Sequence, residues 1–207
     1  MGGDKIIYLS SAYLAPVSYY QLLNSDRSRF VIERNEHYIK QTYRNRCRIA
    51  SANEVQTLSI PIVKPDSPKA SIQDIRIADH ANWRHLHWTA ILSAYNSTPF
   101  FEYYADDFLP FYEKKYDFLF DFNEELRLKV CELLGISPVV SFSTEYKTEM
   151  DQNEVDCREA IHPKKCTKDP ESFQPYYQVF KHKYGFQPDL SIIDLLFNMG
   201  PEAILFI

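Results

Sequence analysis

Short runs of β-branched and aromatic residues near the N-terminus alternate with a helical pattern. Residues 5–9 (KIIYL) and 29–33 (RFVIE) have the composition of β-strands. Between them, Pro16 stands where a first helical turn accepts proline, and an apolar stripe follows over residues 19–23. This order of strand, short helix and strand favours an α/β arrangement with at least one parallel strand pair.

The middle of the chain predicts further strands and three helices. Apolar runs bounded by turn residues indicate strands, and apolar positions that recur every three or four residues indicate amphipathic helices. The predicted strands are residues 58–63, 72–77 and 139–142, and the predicted helices are residues 79–96, 100–112 and 116–134. Pro99 ends the first helix and Gly135 is a natural stop for the last one.

The C-terminal part begins with a polar stretch, over about residues 148–175, that has no convincing period and indicates a long surface excursion. A strand over residues 178–182, a helix over 190–198 and a terminal strand or tail over 203–207 follow. We therefore expect an α/β fold with a mixed sheet and flanking helices, in a single domain that spans residues 1–207.

Composition excludes several classes of protein. The formal net charge of −5 argues against a duplex-DNA binder, and 5 glycines are too few for a glycine-rich nucleotide loop. No apolar run is long enough for a membrane span, and the N-terminus lacks a secretory signal. Cys47, Cys131, Cys157 and Cys166 have no zinc-binding spacing, which favours reduced thiols in the cytoplasm. We expect no metal and no cofactor.

Three arginines at alternate positions, Arg44, Arg46 and Arg48, form the first constellation with possible chemistry. On an extended strand they would share one face, where an anion such as a phosphate would suit their planar guanidinium groups. On a helix, only Arg44 and Arg48 would share a face. The structural alternative is a solvated strand, or one that is ion-paired with Glu33, Glu36 or residues 106–107.

A histidine between two tryptophans forms the second constellation. His87 follows Trp83 by four residues, so both can lie on the apolar face of the predicted helix. An imidazole titrates near neutral pH and can serve as a general acid or base. The alternative is a core histidine with a satisfied hydrogen bond. No serine-hydrolase elbow, phosphate-binding P-loop or dinucleotide-binding glycine motif is present.

Three segments resemble the WbqC-like protein family: residues 38–49, the stretch from Trp83 to Phe101, and the ending LSIIDLLFNMGPE over residues 190–202. The resemblance covers most of the chain, and the ending is its most specific part. Members of the family are bacterial, some are encoded in O-antigen clusters, and a glycine transferase role has been suggested for one. The resemblance implies a cytoplasmic role in modifying surface-polysaccharide precursors.

The resemblance also implies roles for individual residues. The family pattern Y-x-(K/R)-x-(S/T)-(W/Y)-x-N-R-x-R-I falls on Tyr38, Lys40, Thr42, Tyr43, Asn45, Arg46, Arg48 and Ile49. The aromatic, histidine and tyrosine of the middle helix fall on Trp83, His87 and Tyr95, and the closing motif contributes Ser191, Asp194, Asn198 and Gly200.

These positions suggest a site for an anionic small molecule, such as a phosphorylated sugar or a nucleotide sugar. Its anion- and substrate-binding residues would be Lys40, Tyr43, Asn45, Arg46 and Arg48. Its proton-transfer residue would be His87 or Tyr13. The supporting residues would be Trp83, Tyr95, Asp194 and Asn198, and we expect the last two to hold the arginines by an ion pair and a hydrogen bond.

The N-terminal slot departs from the family. Many members carry H-Q-P-x-Y-L-P-x-x-G-Y-F after the first strand, whereas residues 9–20 read LSSAYLAPVSYY, so the His, Gln, first Pro and Gly are absent. A third function, RNA binding through the Arg/Tyr stretch, is disfavoured by the net charge of −5 and by the absence of an RNP-type motif, so two functions stay in front. One is a transferase, of acyl or glycyl type, that modifies a sugar or sugar-nucleotide precursor, and the other is a non-catalytic ligand-binding or scaffold protein of a polysaccharide gene cluster.

Overall fold

The chain opens with a strand, a helix and a second strand that lies parallel to the first. The structure, a computed structural model, describes residues 5–164 and 173–207. Strand β1 (Lys5–Ser10) leads through helix α1 (Val17–Leu23) into strand β2 (Ser28–Glu33). Parallel neighbours need a crossover connection, and α1 supplies it. The predicted opening of strand, helix and strand with a parallel pair is confirmed.

The main sheet of the described residues has four strands in the order β5–β2–β1–β6, with every neighbouring pair parallel. Strand β5 (Val139–Phe142) lies where it was predicted. Strand β6 (Glu154–Asp156) lies inside the stretch predicted as a surface excursion, so that prediction is wrong there. Three residues at a sheet edge, two of them acidic, leave no apolar alternation to detect. Residues 165–172 of that stretch lie outside the described residues.

A separate hairpin contains the antiparallel pairing. Strands β3 (Arg46–Ser51) and β4 (Glu54–Ser59) pair with Arg46 opposite Ser59. The predicted strand over residues 58–63 overlaps only the end of β4, and Pro61 interrupts it before Ile62 bridges to Ile77. The α/β class with parallel and antiparallel pairing is confirmed, and the two kinds of pairing lie in two sheets.

The strand predicted over residues 72–77 is wrong. Ile72–Asp74 forms a single 3₁₀ turn, and isolated bridges at Arg76 and Ile77 follow it. Ile72 and Ile75 are both almost fully buried. Residues three apart lie on the same side of a 3₁₀ turn, so burial of this pair favours the turn. The alternation of apolar and polar residues, which indicated a strand, is the weaker signal here.

Three long helices follow the hairpin. They are α2 (Trp83–Tyr95), α3 (Phe101–Glu113) and α4 (Leu119–Leu134). The first begins four residues later than predicted, because Ala81 and Asn82 have positive φ angles that a right-handed helix excludes. Gly135 ends α4 in the left-handed region, as its sequence position predicted. No helix of the described ranges is long and apolar enough to cross a bilayer.

Helix α6 (Ile192–Met199) is the centre of the core. It is buried on all sides, and Ile192, Ile193 and Leu195 are completely buried. The residues before it join two distant segments. The Val17 amide donates to the Leu190 carbonyl at 3.0 Å, and the Ser191 amide donates to the Arg48 carbonyl at 2.8 Å. The closing motif of the sequence therefore ties the N-terminal loop to β3.

Two further C-terminal predictions are wrong. Residues 178–182 do not form a strand, and a turn leads into the short helix α5 (Lys181–Tyr184). The Gln178 side chain stabilises this turn through hydrogen bonds with Gln187 and Asp194. The last residues form a 3₁₀ helix (Gly200–Phe206) instead of a strand or tail. Gly200 has φ +56°, which turns the chain out of α6, and Pro201 starts the new helix.

Replacing Gly200 by alanine should destabilise the protein by roughly 2–4 kcal/mol, because a Cβ there would lie 2.4 Å from the Phe100 ring and φ is positive. Gly135→Ala is the control without a contact: no heavy atom lies within 4 Å, and its ψ of 24° is in the left-handed region, unlike the ψ of −131° at Gly200, so the loss should be about 1 kcal/mol. Urea unfolding measures both. Equal losses for the two variants would contradict the packing role assigned to Gly200.

Candidate functional site

The carboxyl ends of the four parallel strands meet at one edge of the sheet. Strand order reverses at β1, which has β2 and β5 on one side and β6 on the other. In open α/β sheets, ligands bind outside the carboxyl ends of the strands at such a reversal. A small cavity at this edge, of about 10 Å³ and lined by Ser10, Ser11 and Tyr43 among others, has room for about one water molecule.

A second cavity at this edge has a volume of about 300 Å³, and we call it the edge cavity. Its walls carry three carboxylates and one guanidinium group. The lining residues are Asn35, Glu36, His37, Ile39, Tyr146, Asp156, Arg158 and Glu159. A volume of this size lies at the lower end of the range for small-molecule sites.

Arg44 joins four segments behind the edge cavity. Its Nε and Nη2 donate to the two carboxylate oxygens of Glu36 at 2.7 and 2.6 Å, and Nη2 also donates to Ser10 Oγ at 2.8 Å. Glu159 Oε1 accepts from the same nitrogen at 2.9 Å. Burial raises the pKa of Glu36, and Arg44 opposes this shift. The bidentate contact fixes the guanidinium plane and leaves Glu159 at the cavity wall.

Arg158, like Arg44, is held by hydrogen bonds to two carboxylates. Its Nε and Nη2 donate to the two oxygens of Asp156 at 2.9 and 2.6 Å, and Nη1 donates to the buried Glu33 at 3.2 Å. The hydrogen bonds from Arg158 lower the pKa of Asp156. The Tyr146 ring lies 4.4 Å from the guanidinium carbon and covers it. Arg158 is therefore a rigid cation in the wall of the edge cavity.

The three arginines predicted to share one face do not do so. Arg44 lies in a turn before β3 and pairs with Glu36, one of the partners that the structural alternative named. Arg46 and Arg48 lie on one face of β3, and the completely buried Cys47 lies on the other. Because Arg44 precedes the strand, strand alternation does not govern its direction.

The residues around these arginines have local partners. Burial raises the pKa of Tyr43, and the Arg48 side chain opposes this shift. Asn45 Nδ2 donates to the Ile60 carbonyl at 2.9 Å, which fastens the exit of the hairpin. Arg46 Nε is buried and has no hydrogen-bond partner among the described residues. Of this group, Tyr43 reaches a carboxyl-edge cavity, the smaller one.

The candidate proton-transfer residues, His87 and Tyr13, contact each other inside the core. His87 Nδ1 lies 3.0 Å from the Tyr13 hydroxyl, which lies 2.8 Å from the Tyr112 hydroxyl. Trp83 packs edge-on against the imidazole, with ring centroids 5.1 Å apart. Burial lowers the pKa of His87 to about 4, so the ring is neutral at pH 7. Neither residue lines the cavities described above.

The structure does not bring His87 together with Arg46 and Arg48. Tyr13 contacts both His87 and the Cys47 thiol, so the imidazole lies on the Cys47 side of β3. The two arginines lie on the opposite face of that strand. Cys47, Cys131 and Cys157 are free thiols, and Cys166 lies outside the described residues.

The expectation that Asp194 and Asn198 hold the arginines is wrong. Asp194 Oδ2 accepts hydrogen bonds from Tyr176 at 2.7 Å and from Gln178 at 2.8 Å, and Asn198 donates to the Asp194 carbonyl at 2.7 Å. Burial raises the pKa of Asp194 to about 6. The Tyr95 hydroxyl accepts from the Ala50 amide at 3.1 Å. These side chains fasten α6 to its neighbours.

Lys40 lines a third cavity, of about 510 Å³, which we call the lysine cavity. Residues 37–40 form one wall, and residues 64–68 with Ala70 form the other. The lysine cavity shares His37 and Ile39 with the edge cavity, so the two adjoin.

Sequence reasoning missed the residues of the carboxyl edge as a site. Ser10 and Glu36 follow predicted strands, and polar residues after parallel strands were a usable signal. Arg158 and Glu159 follow β6, which was not predicted, so nothing pointed to them.

Comparison with known proteins places the chain in a family. The model of the WbqC-like protein family matches residues 11–168, more than half of the sequence, and the chain belongs to that family. The matched range contains the edge cavity and the lysine cavity, and the closing motif of residues 190–202 lies beyond it.

A relative in Mycobacterium tuberculosis, described as the uncharacterized protein Rv1507c, is 27% identical over 227 aligned positions. The alignment covers 96% of this chain and 95% of the relative. No solved structure shows a significant match to the chain.

The buried His87 should make stability depend on pH. An unfolded histidine titrates near pH 6.5, whereas burial lowers the pKa of folded His87 to about 4. The unfolded state therefore binds more protons between these values, and stability should fall by about 3 kcal/mol as the pH drops through this window. Urea unfolding of the wild type and His87→Gln at several pH values measures the effect.

Comparing the two proteins isolates the histidine, because Asp194 contributes with the opposite sign. Its pKa is raised to about 6, so its contribution to stability increases as the pH falls below that value. His87→Gln should remove the histidine part of the slope and leave the rest. The same slope in both proteins would contradict a neutral, buried imidazole.

Proposed function

We propose that the protein is a transferase of acyl or glycyl type that modifies a sugar or sugar-nucleotide precursor of bacterial surface polysaccharide in the cytoplasm. Membership of the WbqC-like family supports the setting, since some members are encoded in O-antigen clusters. The position of the edge cavity supports a small-molecule site, because it lies at the strand-order reversal of a parallel sheet.

One observation carries the chemistry of this proposal: a carboxylate and a guanidinium group face the same cavity from adjacent positions. The Glu159 side chain is 48% exposed, and Arg44 holds its Oε1 at 2.9 Å. Its Oε2 has no hydrogen-bond partner among residues 5–164 and 173–207 and is free to accept a proton. The neighbouring Arg158 is only 4% exposed and is held by two carboxylates. Both groups are set before a ligand binds.

In this mechanism, Glu159 is the general base. As the acceptor hydroxyl or amine attacks the carbonyl carbon of an activated acyl donor, Glu159 takes the proton that the acceptor loses. A bond forms between the acceptor atom and the carbonyl carbon, and the bond to the leaving group breaks when the tetrahedral intermediate collapses. Glu159 then passes this proton to the leaving group, while Arg158 lines the same wall with its charge already neutralised by Glu33 and Asp156.

A non-catalytic ligand-binding or scaffold role is the second candidate. Two observations favour it. The family's N-terminal His and Gln are replaced by Leu9 and Ser10, and the His87–Tyr13 pair is sealed in the core. A protein of this kind would bind the precursor without turnover, so the two candidates differ in whether a product forms.

Glu159→Gln should lower turnover by roughly 100-fold or more, because the variant loses the base. Ligand affinity and unfolding free energy should stay close to those of the wild type, since the side chain is half exposed. The assay incubates the protein with nucleotide sugars and activated glycyl or acyl donors and detects the transferred group by mass spectrometry. Glu102→Gln, at an exposed position on α3, is the matched control.

The outcomes separate the two candidates. Product from Glu159→Gln at the wild-type rate would overturn the role of Glu159. Ligand binding by the wild type, without product from any donor, would favour the binding or scaffold role.

Arg46→Ala should weaken the binding of nucleotide sugars, because the guanidinium group adds positive charge close to Tyr38, which lines the lysine cavity. A thermal-shift titration against a panel of nucleotide sugars measures this, with the melting temperature of the unliganded variant as the check on folding. If no nucleotide sugar in the panel shifts the wild type, the proposed ligand class is wrong.

A further inference from the structure

The walls of the lysine cavity are held in place by the backbone. The Tyr38 amide donates to the Ala70 carbonyl at 3.0 Å, and His37 forms an isolated antiparallel bridge with Ser71. These contacts join the segment of residues 37–40 to the segment of residues 64–70 along one side. The opening between them, about 510 Å³, is in the size range of small-molecule sites. The cavity is therefore a built feature of the fold.

The charges of this cavity are mainly positive. Lys40 and Lys64 lie on opposite walls, both are exposed, and neither forms an ion pair with any described residue. Asp66 is the acidic residue in the lining. Two unpaired ammonium groups that face one opening leave an excess of positive charge for a ligand to neutralise.

Further positive charge lies behind the Tyr38 wall. Burial raises the pKa of Tyr38 to about 12, and Arg46 and Arg44 both oppose this rise, so the two guanidinium groups lie close to the phenol. Arg46 Nε is buried without a hydrogen-bond partner among the described residues. Because Glu36 and Glu159 compensate the charge of Arg44, the positive potential behind this wall comes from Arg46.

The adjoining edge cavity has the opposite character. Glu36, Asp156 and Glu159 line it, and Arg158 is the one arginine or lysine in its lining. A phosphate group would be repelled by these carboxylates and attracted by the lysines next to them. Since the two cavities share His37 and Ile39, a single ligand can extend from one into the other.

We infer that the lysine cavity is a diphosphate subsite, in which Lys40 and Lys64 each bind one phosphate of a nucleoside-diphosphate-linked ligand. The group linked to the diphosphate then extends past His37 and Ile39 into the edge cavity. This inference rests on the proposed function, because it assigns the two ends of the proposed substrate to the two cavities. It adds Lys64 and His37, which have no other assigned role.

Binding of inorganic pyrophosphate tests the subsite without the need for the natural substrate. Isothermal titration calorimetry at low ionic strength should show binding to the wild type, and Lys40→Ala and Lys64→Ala should each weaken it by roughly threefold to tenfold. Asp66→Asn should strengthen it, because the variant removes a repelling charge. Lys181→Ala, at an exposed position on α5, is the matched control and should bind like the wild type.

The pyrophosphate affinities of the variants, compared with that of the wild type, test the diphosphate subsite. Weakening by both lysine variants and strengthening by Asp66→Asn, with loss of affinity in added salt, supports the subsite. No pyrophosphate binding by the wild type, or equal affinity in Lys40→Ala, Lys64→Ala and Lys181→Ala, overturns it. All the substituted side chains are exposed, so the variants should fold, and their melting temperatures verify this.

A second titration, with uridine diphosphate glucose as the probe, separates this inference from the proposed function. Binding that the lysine variants leave unchanged would overturn the diphosphate subsite and leave the proposed function standing. Pyrophosphate binding that the lysine variants weaken, without product from any donor, would keep the subsite and overturn the transferase.

Discussion

The buried ion pair between Arg44 and Glu36 is the interaction on which the candidate site depends. Both side chains are almost fully buried, and removing one partner of such a pair typically costs 3–5 kcal/mol, because the other charge is left without compensation. The same guanidinium group holds Ser10 at the end of β1 and Glu159 after β6. Segments that are far apart in sequence are thereby fixed at one edge of the sheet, and the cavities lie between them.

The fold separates opposite charges over a short distance. Strands β2 and β6 end at the same edge, so the carboxylates at and after their ends lie close together. The lysines come from other segments, which flank the hairpin and precede the 3₁₀ turn. A ligand that spans both cavities would need a negative end and a neutral or positive end. This charge pattern restricts the ligand more tightly than the overall charge of −5 does.

The sequence predicted those elements whose signals are local. Proline, glycine and strong apolar periods located α1, α4 and α6 within a few residues. The sequence did not predict β6, because its three residues form a strand only where β1 supplies a pairing partner. It also gave the wrong element for residues 72–77, where apolar residues recur at spacings of both two and three. The predicted site residues lie in different places: some in the core, some on the hairpin, and Lys40 at the lysine cavity. A family resemblance identifies positions in the sequence, but it does not show which side chains line the same cavity.

Strand β6 has a consequence for how a ligand reaches the edge cavity. Its three residues pair with β1 alone, yet Asp156 belongs to the cavity wall and Arg158 and Glu159 follow directly. A short edge strand with few ladder hydrogen bonds opens locally at a lower free energy than the central strands. Local fraying of β6 would therefore widen the entrance, and the ion pairs of Glu159 with Arg44 and of Arg158 with Glu33 would return these side chains to the wall when the strand pairs with β1 again.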